Sequence, residues 1–596
     1  MPGPLRLLLC LLALWPAAAA GGADGDDHQA LQRAVTGGPA AELQRLGRDF
    51  WAWRAAGQPI SGDDIPRLVR PPGWTPDWSA AAVAARRRDL ERFTARWRAL
   101  ADPARPVPEQ VDHRLLGSAL ARVRWELDGV RLWRRDPGFY LAQTLGALVD
   151  ALLPPPPFSP DRSRDVVLRL ASFPRTLADG RANLADPREA VEPFARLALA
   201  DLADAGSRLR QAMAALRPLL TADSRPRLDA ETERAVAALE SYRGWLGSRA
   251  ADMHGAVAIG RDAYVGFLHQ VALLPFTPEQ VLAMGRQEWA RSVAGEAFAS
   301  RRNDRNDRND HSSHGLPELP LFSSQAAQIA AARRDELAIR GFLERRGILT
   351  VPAWMPHYVY QPLPAYLAPL AAFGEGTDFP LAAASGQPPL VASTRYIPKP
   401  SPTLGYFALS MARDPRPDMV HEGIPGHGFQ LALSRRHPDE IRRHWYDSSA
   451  NEGIGFYAEE MMLHMGLFDD SPRTTEMIWN YARLRALRVE VDVRLAIGSF
   501  SIEQAADYLR AAVPMDAATA RSEAAAFAAT PGFAIGYQIG KLQITRLLAE
   551  ARRRQGKDFD LRAFHDFVWT NGNVPLALQR WELLGESDEL AALAER

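Results

Sequence analysis

The sequence predicts a mainly α-helical protein with a small β element near residues 350–412. Three observations carry this. From about residue 28 to 250, long Ala/Leu/Arg stretches place apolar residues three and four apart, as in Leu115–Leu132 and Ala190–Leu219. Period-two alternation is almost absent there, which argues against a large sheet. Between 350 and 412 the composition changes: VPAWMPHYVYQPLP and STRYIPKPSPTLGYFALS are rich in Val, Tyr, Phe and Pro. Such segments fit short extended pieces before helices resume near 419.

The elements follow in chain order. Residues 1–20, MPGPLRLLLCLLALWPAAAA, carry one positive charge at Arg6, an apolar run from Leu7 and a small-residue end. That is the pattern of a signal peptide cleaved after the alanines at 18–20. From Leu7 to Ala20 the run falls short of the roughly 20 residues that span a bilayer. Cys10 follows Leu9, where lipoprotein processing needs a small residue, so the leader reads as a plain secretory one and the mature chain as periplasmic or secreted. Residues 21–255 form an N-terminal helical region, punctuated by proline-rich turns at IPRLVRPPGWTPDW and LLPPPPFSPD. Residues 256–596 form a second helical region. Within it, RRNDRNDRNDHSSHG (301–315) is a tandem repeat too polar to pack and is expected to be a disordered insertion.

Composition narrows the chemistry. The chain has 596 residues, with 71 basic and 71 acidic side chains, hence no net charge. That balance argues against a nucleic-acid binder and against a polybasic membrane patch. Only Lys399, Lys541 and Lys557 are lysines, a bias that reflects arginine-rich coding and not an RNA-binding surface. One cysteine excludes internal disulfides, thiolate-rich zinc sites and iron–sulfur clusters. Any metal must be held by His, Asp and Glu.

Six of the thirteen histidines fall in 357–464, two of them in HEGIPGHGFQ (421–430). A zinc-protease helix usually carries H-E-x-x-H, which puts two imidazoles one turn apart with a glutamate beside the metal. Here His421, Glu422 and His427 have two extra residues. On a regular helix a spacing of six is about 240° of rotation, so the rings would diverge. Pro425-Gly426 sits in the gap, and a bulge there would loop out the excess. The other reading is a kinked helix with ordinary histidines. NEGIGFYAEEMMLHMGLF (451–468) adds Glu452 and Glu459, seven apart on one helical face. Glu452 lies far enough beyond His427 for a return helix and suits a third ligand. Glu459, two turns on, is placed to orient an imidazole N–H. The alternative makes both glutamates ordinary salt-bridge positions. In PGFAIGYQIGKLQI (531–544), Tyr537 could donate to an oxyanion or simply fill a core. Arg485, Arg488 and Arg494 lie near Asp492 on one predicted helix; they could clamp a substrate carboxylate, as could Lys541, or form structural ion pairs.

Together these segments resemble the bacterial domain-of-unknown-function family 885, whose members carry HExxPGHHxQ, EGWAxYxE and PGxxxxYxxGxxxI in this order. The specific motifs all lie in 421–541. That family is similar to zinc metallopeptidases of the thimet-oligopeptidase and angiotensin-converting-enzyme type, so the resemblance implies an elongated helical clam around a deep central channel. It implies His421, His427 and Glu452 as ligands of one zinc, Glu422 as general base and Tyr537 as oxyanion donor. Arg485, Arg488 and Asp492 match a further family segment. The chain departs from the pattern at Gly428, at Ile454–Gly455 and at Ala496. The expected function is a secreted zinc peptidase acting on short peptides. A zinc hydrolase of another amide or ester, or a non-catalytic helical binding protein with a relic site, stands beside it. Zinc is preferred for this ligand set, and the sequence sets no oligomeric state.

Overall fold

A computed structural model describes residues 39–61, 68–306, 318–373 and 392–594. The leader expected at 1–20 lies outside them. The chain is mainly α-helical, as the periodicity predicts. In the first half, α1 (Pro160–Asn183) starts where Ser159 accepts from the Arg162 N–H at 3.2 Å, with Pro160 in the first turn. It packs beside α2 (Arg225–Arg249): Leu170, Phe173 and Leu177 of one helix and Leu228, Val236 and Leu246 of the other join the same buried cluster. That cluster extends past residue 255 to Tyr366, Ile441, Trp445, Val574 and Leu578, so both halves of the chain share a core.

Helix α3 (Pro278–Asn306) runs alongside a long helix of the second half. It also corrects the expected boundary of the insertion. Residues 301–306 continue as helix, because the arginines of the repeat sustain helical propensity; the remainder of the repeat, 307–315, lies outside the described residues. The small β element is present as two parallel strands, β1 (His357–Pro362) and β2 (Ala392–Ile397), with His357 opposite Ala392 and Tyr360 opposite Arg395.

Five helices then build the site: α4 (His427–Ser434), α5 (Ser448–His464), α6 (Pro472–Ile497), α7 (Gly536–Gln555) and α8 (Leu561–Thr570). Helix α5 is buried on nearly every side, packed on α7 and closed at its start by Asp447, whose side chain accepts from the Ser449 N–H at 2.9 Å. Helix α6 is the one that pairs with α3; Pro472 opens it and the left-handed Gly498 ends it. Among the described residues no helix is long and apolar enough to cross a membrane.

Candidate metal centre

The chain reaches the site on a single wide helical turn, Met419–Gly423. The expected bulged helix does not form. The helix stops, Ile424–Gly426 make a turn, and α4 begins at His427. Pro425 has no N–H to continue the ladder. Gly426 presses so close to the preceding turn that a Cβ there would lie 1.7 Å from the His421 carbonyl oxygen. The Trp569 indole N–H from α8 donates to the Pro425 carbonyl at 2.6 Å and pins the turn. Breaking the helix cancels the rotation that would have separated the two histidines. Their ring centroids are 4.6 Å apart, nearly edge to face.

Helix α5 brings the third group. Glu452 Oε2 lies 3.3 Å from His421 Nε2 and 3.2 Å from His427 Nε2, and all three residues are buried. One ligand atom from each lies within 4.8 Å of the others. One turn on, Gly455 leaves room for the rings: a Cβ there would sit 2.8 Å from His427 Cε1 and 3.0 Å from His421 Cε1. Two turns on, Glu459 Oε1 lies 2.6 Å from His421 Nδ1, which fixes that ring's orientation and leaves Nε2 facing Glu452. Burial raises the Glu452 carboxyl, but His427 and His421 outweigh it and hold it well below the usual range. Burial likewise lowers His421, yet Glu452 and Glu459 push it up to about 9. The pocket thus favours positive charge between three convergent donors. Two imidazole nitrogens and a carboxylate oxygen fit a divalent cation of the zinc class.

Glu422 is half-buried on the same turn as His421, and its charge is felt by both His421 and Asp418. Asp418 is gripped by the sheet. The cross-strand pair Tyr360 and Arg395 donate to its two oxygens at 2.5 and 3.1 Å, so β1 and β2 anchor the turn carrying His421.

Tyr537 comes to the site through a glycine crossing. A Cβ on Gly540 of α7 would lie 1.9 Å from the Ser449 carbonyl of α5, and one on Gly453 would lie 2.6 Å from Gly540 Cα. The backbones therefore touch, which sets the Tyr537 ring 6.0 Å from the His421 ring and 18° from parallel to it. The loop leading into α7 is held by Asp492, which accepts from the backbone N–H of Gly532 at 2.9 Å, that of Ala534 at 2.8 Å and the Tyr264 hydroxyl at 2.9 Å. Burial outweighs these donors and pushes Asp492 up to about 7.

A family model described as "Bacterial protein of unknown function (DUF885)" matches residues 72–583. The chain belongs to the DUF885 family. Two solved structures share its fold. One, from Shewanella oneidensis and described as "a putative lipoprotein of unknown function", is 17% identical with a TM-score of 0.66, covering 92% of this chain and 100% of that one. The other, "the putative lipoprotein from Colwellia psychrerythraea", is 16% identical with a TM-score of 0.68, covering 91% and 98%. A comparison with curated proteins finds no match.

In this DUF885 chain the basic residues singled out above each have acidic partners. Lys541 is buried between Glu288 at 2.9 Å and Glu460 at 2.8 Å. Arg485 donates to Glu459 at 3.0 Å and so supports the carboxylate that orients His421. Arg488 pairs with Glu523 and lies 4.7 Å over the Tyr537 ring. Arg494 pairs with Glu490. The DUF885 site also uses residues that periodicity did not single out. Asn451 donates to Gln430 Oε1 at 3.2 Å, joining α5 to α4, and Tyr446 donates to Asn451. Gln430 lay inside the first motif and was visible there. Trp569 and Glu523 carried no local signal.

Proposed function

We propose that the protein is an exported metal-dependent hydrolase that cleaves amide bonds of short peptides, with His421, His427 and Glu452 holding one zinc ion. The convergence of these three donors in one buried pocket, with Glu422 on the same turn, carries the reading. When bound, zinc would acidify a water to a pKa of about 7 and polarise the scissile carbonyl. Glu422 takes the proton from the attacking water and returns it to the leaving amine. Tyr537 donates its hydroxyl to the developing oxyanion; one such donor is worth about 10²–10³ in turnover. Arg488, over the Tyr537 ring, supports that phenol, while Glu459 and Arg485 hold His421 in the orientation the metal needs. Export is supported by the leader pattern at 1–20 and by the lipoprotein descriptions of the two similar structures. Acyl amides and esters outside peptides would use the same chemistry and belong in the same substrate screen.

Elemental analysis of protein purified without a metal-affinity tag tests the centre. About one zinc per chain is expected in the wild type and none in Glu452→Ala. Glu422→Gln is expected to keep the metal and lose hydrolysis. Turnover at the wild-type rate would remove Glu422 from its role, and metal-free protein after zinc is added back would end the hydrolase reading.

A further inference from the structure

Near the candidate centre lies a cleft lined by residues of both halves of the chain. Aromatic faces meet there from three separate stretches: Trp125 and Phe139 from the first half, Phe267 from the middle and Phe533 from the loop before α7. Trp125 and Phe267 already contact each other, ring centroids 5.2 Å apart. Two lining residues place the cleft near the site. Phe533 packs edge-on against Tyr537 at 5.8 Å. Ser448, in the cleft wall, is the first residue of α5 and precedes Glu452 by one helical turn, about 6 Å along the axis. An apolar cleft with a few polar groups, opening next to a reactive centre, is how enzymes select one side chain of a substrate.

We propose that this cleft receives an aromatic or bulky apolar side chain adjacent to the bond that is hydrolysed, an inference that rests on the hydrolase function proposed above. Ring faces at several angles suit a flat aromatic group, which packs edge to face against such walls. Arg122 and Asp447 at the wall are of opposite charge, and Glu126 there is paired with Arg54, so the wall offers no unbalanced charge for a charged side chain. A small side chain would leave the aromatic walls uncovered, so discrimination is by size and apolarity.

The test measures binding separately from cleavage. Tripeptides of glycine with alanine, leucine or phenylalanine in the middle are titrated calorimetrically into zinc-loaded Glu422→Gln protein, and the same peptides are offered to the wild type for hydrolysis. The phenylalanine peptide is expected to bind on the order of 10- to 100-fold more tightly than the alanine peptide. Two variants enlarge side chains of the cleft lining: Ala529→Phe, at the end of the helix before the Phe533 loop, and Leu132→Trp from the first half of the chain. Each, checked for fold by circular dichroism and for metal content, is expected to bring the preference below about threefold. Equal binding of all three peptides, or an unchanged preference in either folded variant, overturns the cleft assignment. Preference in binding with no cleavage by the wild type keeps the cleft and overturns the hydrolase function. Cleavage without preference does the reverse.

Discussion

Replacing Gly540 with alanine tests the glycine crossing that sets the position of Tyr537. The added Cβ would lie 1.9 Å from the Ser449 carbonyl oxygen and 2.7 Å from Gly453 Cα. Ordinary contact begins near 3.4 Å, so α5 and α7 must part by roughly 1.5 Å. Both obstructing atoms are backbone, and no side chain can rotate aside. Overpacking of a tight core costs about 1–3 kcal/mol, and this case belongs at the upper end. Alanine in a helix interior regains about 1 kcal/mol of propensity, leaving a net loss of roughly 2 kcal/mol. Gly244 in α2 is the internal control. It is helical and nothing lies within 4 Å of its hypothetical Cβ, so Gly244→Ala keeps the propensity gain alone. Urea denaturation followed by circular dichroism should place the two variants on opposite sides of the wild type, about 3 kcal/mol apart. Zinc binding should weaken in Gly540→Ala and be unchanged in Gly244→Ala. If Gly540→Ala unfolds at or above the wild-type midpoint, the helices are not held in backbone contact and the account of how Tyr537 is positioned fails.

Three further outcomes are expected. Trp569→Phe removes the donor to the Pro425 carbonyl and leaves a buried acceptor unsatisfied, a loss of about 1–3 kcal/mol; zinc affinity should fall with it, and unchanged affinity by competitive chelation would show that the turn needs no pin. Lys541→Met leaves Glu288 and Glu460 facing each other with Arg291 as their remaining shared cation, and should destabilise the fold by about 3 kcal/mol while one zinc per chain is retained; a stable variant with a raised KM would return Lys541 to substrate binding. Burial raises Asp492 from its ordinary 3.8 to about 7, so between those values the folded protein binds a proton that the unfolded chain releases. This group's contribution to stability therefore falls as pH rises from about 4 to 7, by up to roughly 4 kcal/mol. Asp492→Asn should flatten the pH dependence of the urea midpoint in that window, and an unaltered slope would refute the assignment.

The local order of the site residues was legible in the sequence, and their long-range partners were not. A seven-residue spacing places two carboxylates on one face of a helix whatever surrounds it, so Glu452 and Glu459 could be read together and do converge on His421. The six-residue gap between the histidines signalled a distortion at Pro425-Gly426, but proline and glycine permit either a bulge or a full break. The full break is pinned from a distance by Trp569, 144 residues on. Lys541 shows the same limit. Its periodicity puts it one turn from Tyr537, yet its direction is set by Glu288, 253 residues earlier in a different helix. The strands near 350–412 were visible as a change of composition, whereas their grip on Asp418 depends on register: one residue of slip would turn Tyr360 and Arg395 to the opposite face.

The pinning of the Ile424–Gly426 turn by Trp569 has a consequence for the order in which the protein is made. Both histidines and the glutamate have been synthesised by residue 452, but the groups that hold them in place come later: Asp492 and the loop at 532–534, the Gly540 contact on α5, and the indole of α8. A chain ending near residue 530 would contain His421, His427 and Glu452 but lack the Trp569 contact to the turn between the histidines and the Gly540 contact on α5. Helix α5, buried on nearly every side in the finished protein, would meanwhile have no α7 to cover it. On the proposed function, the ion would be held firmly only once the last sixty or so residues have emerged and docked.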